Sequence, residues 1–398
     1  MDVERIRSNF PSLAHGAAHF DGPGGTQTPT SVSRAMFDLL EGPVANRGTV
    51  TLAEQRAEAA VTGARLAMAD LLGADPDGIV FGRSMTQLTF DFARTLAQDW
   101  GPGDEVVVSR LDHDANVRPW VRYAQKSGAT LRWVDFDPSS GHLDVADVES
   151  VLSDRTRVVA MTGASNILGT RPDLPAISKS VHAAGALLYV DGVHLTPHAV
   201  VDVTALGADF YGCSPYKFFG PHIGVMAAAP ALLETLHPDK LLPSTEVVPE
   251  RFELGTLPYE LLAGVTAAVD FIADLEPGSG SRRERIVRSM TAAEHYEDGL
   301  SHRLREGLTD IAGVTVYSNA RSKTPTELFS IAGIANDEAY HYFAQHNVNA
   351  PASSFYAIEC SRHLGLGDDG AIRAGLAPYN TADEIDRLLN CVRELAAR

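Results

Sequence analysis

Cysteine is nearly absent from this chain: Cys213, Cys360 and Cys391 are the only three, and none stands in a CxxC or other metal-type spacing. So sparse and odd a set argues against a disulfide framework or a cysteine-based metal site and points to a reducing cytoplasm. Basic residues are in deficit too, 33 against 51 acidic, for a formal net charge of −18. That balance excludes a general affinity for nucleic acid or anionic membrane, while leaving room for a local phosphate pocket. No apolar run approaches the roughly 20 residues of a membrane span, and the opening MDVERIRSNFPSL lacks the apolar stretch of a signal peptide. The glycines of DGPGGTQ (21–27) miss the GxGxxG spacing and follow no strong strand, which disfavours a nicotinamide-dependent dehydrogenase. Internal repeats and low-complexity segments are missing, and the nearest thing to a linker is PGSGS at 277–281.

What remains is an ordinary globular composition, 44% hydrophobic and 21% charged, over 398 residues, enough for one large domain and a smaller one. Apolar runs at 78–81, in GPGDEVVVSR, TLRWVDFD and RVVAMTG, at 186–190 and 208–211, and in IGVMAAA predict strands. Helical spacing occupies 30–41, 52–72, the segment from Gln87 onward, 144–152, 174–184 and 259–275. Strands separated by helices imply right-handed βαβ units and a mostly parallel sheet. Beyond the linker, a charged helix over 282–308, strands in GVTVYS and LFSIAGI, and a helix over 337–346 predict an α+β layout. The expected fold class is α/β: a mostly parallel central sheet flanked by helices over residues 21–275, with a smaller α+β domain built from 1–20 and 276–398.

The stretch 188–224 organises the chemistry. A buried strand stops on Asp191, at the carboxyl end where open α/β sheets bind ligands. A second short run leads to Ser214, Tyr216 and Lys217, a lysine among aromatic and small residues with no charged neighbour in sequence. Burial lowers the pKa of such a lysine and suits an amine that must be neutral to attack a carbonyl. Pyridoxal phosphate asks for this pair: a lysine that bonds it covalently and a carboxylate that keeps its pyridine nitrogen protonated. Singly, a lysine is a surface group and a strand-end aspartate a turn residue; the ordered set carries the reading. Ser84 to Thr86 add a helix amino terminus whose free N–H groups form an anion site.

Together DGPGGTQ, RLDHDAN, ASNILGT and SPYKFFGPHIG resemble the class V aminotransferase and cysteine desulfurase family of fold type I pyridoxal phosphate enzymes, and within it a cysteine desulfurase-like subgroup. The resemblance covers nearly the whole chain and implies pyridoxal 5'-phosphate as cofactor and a small amino acid-type molecule as substrate. It implies that Lys217 bears the cofactor and takes the Cα proton, Asp191 holds the pyridinium, and His113 stacks on the ring. Ser84, Met85, Thr86 and Ser214 would hold the phosphate, Asn166 would bond the ring oxygen, and Tyr216 would be a further cofactor contact. His194 stands where desulfurases commonly have glutamine; it can make the same hydrogen bond and also carry a proton. Thr256, after Gly255, would reach the phosphate of a neighbouring subunit, which implies a homodimer with shared sites. Arg373, in GAIRAGLAPYN, would clamp the substrate α-carboxylate bidentately, and Thr381 with Glu384 would cap the last helix.

The departures lie just upstream. Desulfurases most similar to this chain present an arginine-containing loop that ends in a nucleophilic cysteine. Here VNAPASSFYAIECSRHLG places Pro351 at the arginine position and Tyr356 at the cysteine position. Cys360 falls in a segment of helical spacing, where a thiol belongs to the core. Tyr356, Ser353 and Ser354 are expected to tune substrate choice. Asp112 and Asp114, beside His113, read as solvated or capping groups. The expectation is an enzyme passing through a Cα carbanion, with elimination or replacement, epimerisation and transamination open. The alternatives are a desulfurase using Cys360 and a non-catalytic pyridoxal phosphate-binding protein.

Overall fold

The structure is a computed structural model that describes residues 1–398. Its larger sheet has seven strands: β1 (Ile79–Gly82), β2 (Glu105–Ser109), β3 (Thr130–Val134), β4 (Thr156–Thr162), β5 (Leu187–Asp191), β6 (Phe210–Cys213) and β7 (Gly224–Ala228). They lie in the order β1-β7-β6-β5-β4-β2-β3. β7 runs antiparallel to both its neighbours, and the other pairs are parallel. The mostly parallel α/β class expected from the alternation is thus the fold observed.

A parallel sheet covered on both faces needs apolar residues at successive positions, not alternate ones. β2 shows why. Val107 belongs to the core on one face while Val106 and Val108 belong to the core on the other. β5 divides likewise, Leu188 and Val190 against Tyr189. The first face is covered by α2 (Leu52–Leu72), α5 (Leu174–Ala183) and α6 (Tyr259–Ala273), and the second by α3 (Met85–Leu96) and α4 (Arg118–Ser127). α2 starts on a capping box, Thr51 with Glu54, and stops at left-handed Gly73.

A second, antiparallel sheet joins β8 (Val314–Val316), β9 (Thr326–Ile331), β10 (Ala352–Ser353) and β11 (Ala371–Gly375) in the order β10-β11-β9-β8. It packs on α7 (Arg282–Thr309), α8 (Asn336–Gln345) and α10 (Ala382–Ala396), with Leu304, Phe329, Phe343, Ile372 and Leu388 in its own core. Thr381 and Glu384 form the expected capping box. The amino-terminal residues divide between the cores: Ile6, Phe10 and Leu13 join the larger and Ala18 and Phe20 the smaller. Phe10 sits at the seam, edge-on to Phe219, Phe271 and Tyr379 at centroid distances of 5.5, 5.4 and 5.1 Å.

One strand is displaced from its sequence expectation. The run predicted over 208–211 forms β6 two residues later. Asp209 is drawn out of the strand because its carboxylate accepts the Leu188 N–H (2.7 Å), and left-handed Gly207 ends the preceding helical turn. The shift carries Gly212 and Cys213 into the sheet and brings Ser214 to its edge.

Candidate active site

β4, β5 and β6 end side by side at Thr162, Asp191 and Cys213, and their carboxyl ends form the floor of a cleft of about 420 Å³. Met85, Thr86, His113, Asn166, Asp191, His194, Ser214, Tyr216 and Lys217 all line it, with Thr162, Ala164 and Val193 between them. Residues spread over more than a hundred positions converge because each sits just beyond a strand end or on a helix start. Two expected members stand apart. Ser84 is exposed and serves as the α3 N-cap, its hydroxyl accepting the Gln87 N–H at 3.1 Å. Thr256 is exposed and outside this cleft.

Charge in the cleft is finely balanced. Burial, then the nearby Arg373 guanidinium, pushes the Lys217 amine down to about 8, while Asp191 and Asp21 pull it back. Burial pushes Asp191 up to about 6, against a hydrogen bond from the Val193 N–H (2.9 Å) and the attraction of Lys217. His113 is pushed down to about 3, first by burial and then by Lys217 and Arg373. Its Nδ1 accepts the Ala115 N–H at 3.0 Å, so the neutral ring carries its proton on Nε2. The site therefore holds a lysine that loses its proton easily, a buried carboxylate, and an imidazole locked in one tautomer.

The structure bears on whether a phosphorylated, aromatic, aldehyde-bearing group fits here. The α3 amino terminus is pressed onto the first residue of β7, so closely that a Cβ on Gly224 would lie 2.2 Å from the Ser84 carbonyl carbon and 2.4 Å from the Met85 nitrogen. Glycine there lets the free N–H groups of Met85 and Thr86 face the cleft, an anion site by geometry and dipole. Three buried polar atoms, Asn166 Oδ1, His194 Nδ1 and Arg373 Nε, have no partner within the protein. Buried polar atoms are ordinarily paired, so they ask for a ligand. Anion cradle, amine, strand-end carboxylate and orphaned donors together fit pyridoxal phosphate.

The roof comes from the smaller sheet. Arg373, on β11, is 2% exposed; it donates to the Asn166 carbonyl (3.1 Å) and is paired with Asp21. The Phe355 ring covers the guanidinium at 3.7 Å. Phe355 and Tyr356 both adopt left-handed backbone, φ 49° and 59°, unusual for bulky residues. Their carbonyls are pinned, Phe355 accepting from Asn166 Nδ2 (3.0 Å) and Tyr356 from the Asp114 N–H (2.7 Å). The Tyr356 ring stacks on His113 at 5.6 Å and is 78% exposed, at the mouth of the cleft. Ser354 gives this turn a carbonyl for the Ala357 N–H and does not line the cleft. Cys360 lies in the short helix α9 (Ile358–His363), is fully buried, and its thiol is pushed up by burial.

Asp112 is not the solvated group that its sequence neighbours suggest. It is 1% exposed, held by Ser109 Oγ and by Asn116 Nδ2 (2.7 Å), and burial pushes its carboxyl up to about 8. Local polarity hid a burial that only the strand-to-turn path creates. The Asp21–Arg373 pairing and the role of Phe355 were also beyond local pattern, the first because 352 positions separate the partners.

The profile described as Aminotransferase class-V matches residues 18–388. The chain belongs to that family. Members use pyridoxal 5'-phosphate, and this chain is accordingly a pyridoxal phosphate-dependent enzyme. It is 34% identical over 397 residues to "Uncharacterized protein MT3887" of Mycobacterium tuberculosis, covering 99% of each chain. It is 32% identical to "Aminotransferase-like protein FGM3" of Gibberella zeae (97% and 96% covered) and 31% identical to a cysteine desulfurase of Dickeya dadantii (97% and 95%). In structure it superposes on the cysteine desulfurase CsdA of Escherichia coli with a TM-score of 0.87 at 27% identity, covering 100% of this chain and 98% of that one. A cysteine desulfurase from Thermococcus onnurineus gives 0.89 at 26%, covering 99% and 98%.

Proposed function

We propose that this class V enzyme removes the Cα proton of an amino acid without transferring sulfur through a cysteine of its own. The observation that carries this reading is the roof of the site. Tyr356 occupies the cleft mouth, and all three cysteines are buried, with thiols raised by burial. A thiolate nucleophile needs the opposite environment, exposed and electropositive.

When bound, the cofactor supplies an electron sink that acidifies the substrate Cα–H. The protein residues do the rest. Lys217, its pKa near 8, is neutral often enough at physiological pH to accept a proton and acid enough to return it. Asp191, shielded from water, would hold a pyridinium proton. Met85 and Thr86 N–H groups with Ser214 anchor the phosphate, and the neutral His113 ring packs the aromatic face. Arg373 fixes the substrate carboxylate, which sets the Cα–H relative to Lys217. Tyr356 covers the mouth and excludes water.

The second part of the proposal is assembly. Phe37, Leu40, Val44, Val50 and Leu52 expose apolar surface, as do Leu241, Leu242, Val247 and Leu254. Patches of this kind support a homodimer in which Thr256 reaches the partner's cleft. Three free thiols support a reducing compartment, the cytoplasm.

The test is a panel of amino acids, cysteine included, offered to the cofactor-loaded protein with products identified by mass spectrometry. An α-keto acid, an eliminated side chain or an inverted stereocentre is expected, unchanged in rate by Cys360→Ser. Sulfide release from cysteine that disappears in Cys360→Ser would overturn the reading.

A further inference from the structure

Behind the cleft wall runs a short line of buried polar side chains to which the roles above give no task. The turn after β5 carries His194 and, four residues on, His198, whose rings meet edge to face at 5.1 Å and 72°. His198 Nδ1 lies 2.9 Å from Glu297 Oε2, a carboxylate delivered by α7 from the far side. His198 is 4% exposed and Glu297 1%, and Glu297 Oε1 has no partner. A buried pair with an unsatisfied oxygen is poor value for stability, since an apolar replacement does as well or better. Its placement against a cleft residue gives it another use.

We propose that His198 and Glu297 are positioning residues that hold a positive charge directly behind His194. The inference rests on reading the cleft as the pyridoxal phosphate site. Glu297 keeps the shared proton on His198 Nδ1, so the imidazolium end of the pair faces the cleft and the carboxylate end faces α7. His194 is thereby kept neutral: burial, then His198, Lys217 and Arg373, all disfavour a second proton on it. Its Nε2 is met by the hydroxyls of Thr324 (2.9 Å) and Thr326 (3.1 Å), which leaves Nδ1 for a ligand. The other charged groups facing this line are Lys217 and Arg373 across the cleft and Glu294 and Asp298 beside Glu297 on α7. His198 is the cation on the α7 side of His194. It therefore biases the cleft toward anionic groups and against protonation of the lysine nitrogen.

The test is the pH titration of the visible absorbance of the cofactor-loaded protein, read without substrate. The lysine nitrogen is a cation below the midpoint, so removing a cation behind the wall raises the midpoint. Glu297→Gln and His198→Asn are each expected to raise it by about half a unit to one unit. The double variant moves it no further than either single, because both act through one charge. Glu297→Asp, which keeps the charge, returns it to the wild-type value. Unchanged midpoints in folded, loaded single variants, or a double-variant shift equal to the sum, would overturn the proposal. If His198→Asn does not fold, His198→Gln replaces it and is held to the same outcomes. A wild-type protein showing no visible band after loading would instead refute the cofactor reading, and the assigned role of the pair with it.

Discussion

Gly224→Ala is the substitution that tests how the fold builds the site. The added Cβ would sit 2.2 Å from the Ser84 carbonyl carbon, 2.4 Å from the Met85 nitrogen and 2.5 Å from the Ser84 oxygen, all backbone atoms. Ordinary carbon contacts begin near 3.5 Å, so β7 and the α3 amino terminus must separate by roughly an ångström. Overpacking of this kind costs about 1–3 kcal/mol of stability. A separation of that size also breaks or lengthens one or two charge-assisted bonds from the Met85 and Thr86 N–H groups, each worth about 1.5–3 kcal/mol. The expected outcome is a lower melting temperature for the cofactor-free protein, and pyridoxal phosphate bound about ten- to a hundredfold more weakly, as one lost bond implies. Calorimetry and a fluorescence titration of cofactor binding read the two effects separately. Gly299→Ala, on an α7 face with nothing within 4 Å, is the control and should be neutral or slightly stabilising. Unchanged melting and unchanged cofactor affinity in Gly224→Ala would refute the claim that this contact shapes the anion cradle.

Other outcomes follow from the charges. Asp112 keeps its proton in the folded protein up to about pH 8 but loses it in the unfolded chain near the ordinary aspartate value. The folded state thus binds more protons in between, and stability falls as pH rises through that window. Asp112→Asn is expected to flatten this slope in a melting-temperature series and to exceed wild type at alkaline pH; an unaltered slope would contradict the buried-acid reading. Asp21→Asn leaves Arg373 without its carboxylate partner, so melting temperature should drop, by about 1–3 kcal/mol in stability, while KM for the substrate falls. A rise in KM would show that Asp21 orients the guanidinium rather than competing for it. Tyr356→Ala uncovers His113 and the cleft mouth, and should raise KM while leaving cofactor affinity within about threefold, which equilibrium dialysis checks.

Much of this was legible in the chain because strand ends concentrate chemistry. Asp191 and Lys217 stood out because one ends an apolar run and the other follows one, and the fold brings both ends to a single edge. The α3 amino terminus was legible through Ser84 and Thr86. The path of β6 was not, since Gly212 and Cys213 carry no strand signal of their own and depend on Asp209 being held by Leu188. His198 lay in plain view four residues from His194, but its meaning depends on Glu297, 99 positions away on α7. The left-handed turn at Phe355 and Tyr356 has no sequence signature, because residues of that size avoid it unless contacts such as those with Arg373 and His113 enforce it.

The central claim is that Lys217 is the residue that bears the cofactor. The most direct measurement is the visible absorbance spectrum of the protein purified with pyridoxal phosphate, compared with Lys217→Ala prepared alongside, together with the intact mass of each after borohydride reduction. The account predicts a visible band and a reduced, cofactor-sized mass increment in the wild type, and neither in the variant. A variant that keeps both, or a wild type that shows neither after loading, would contradict it.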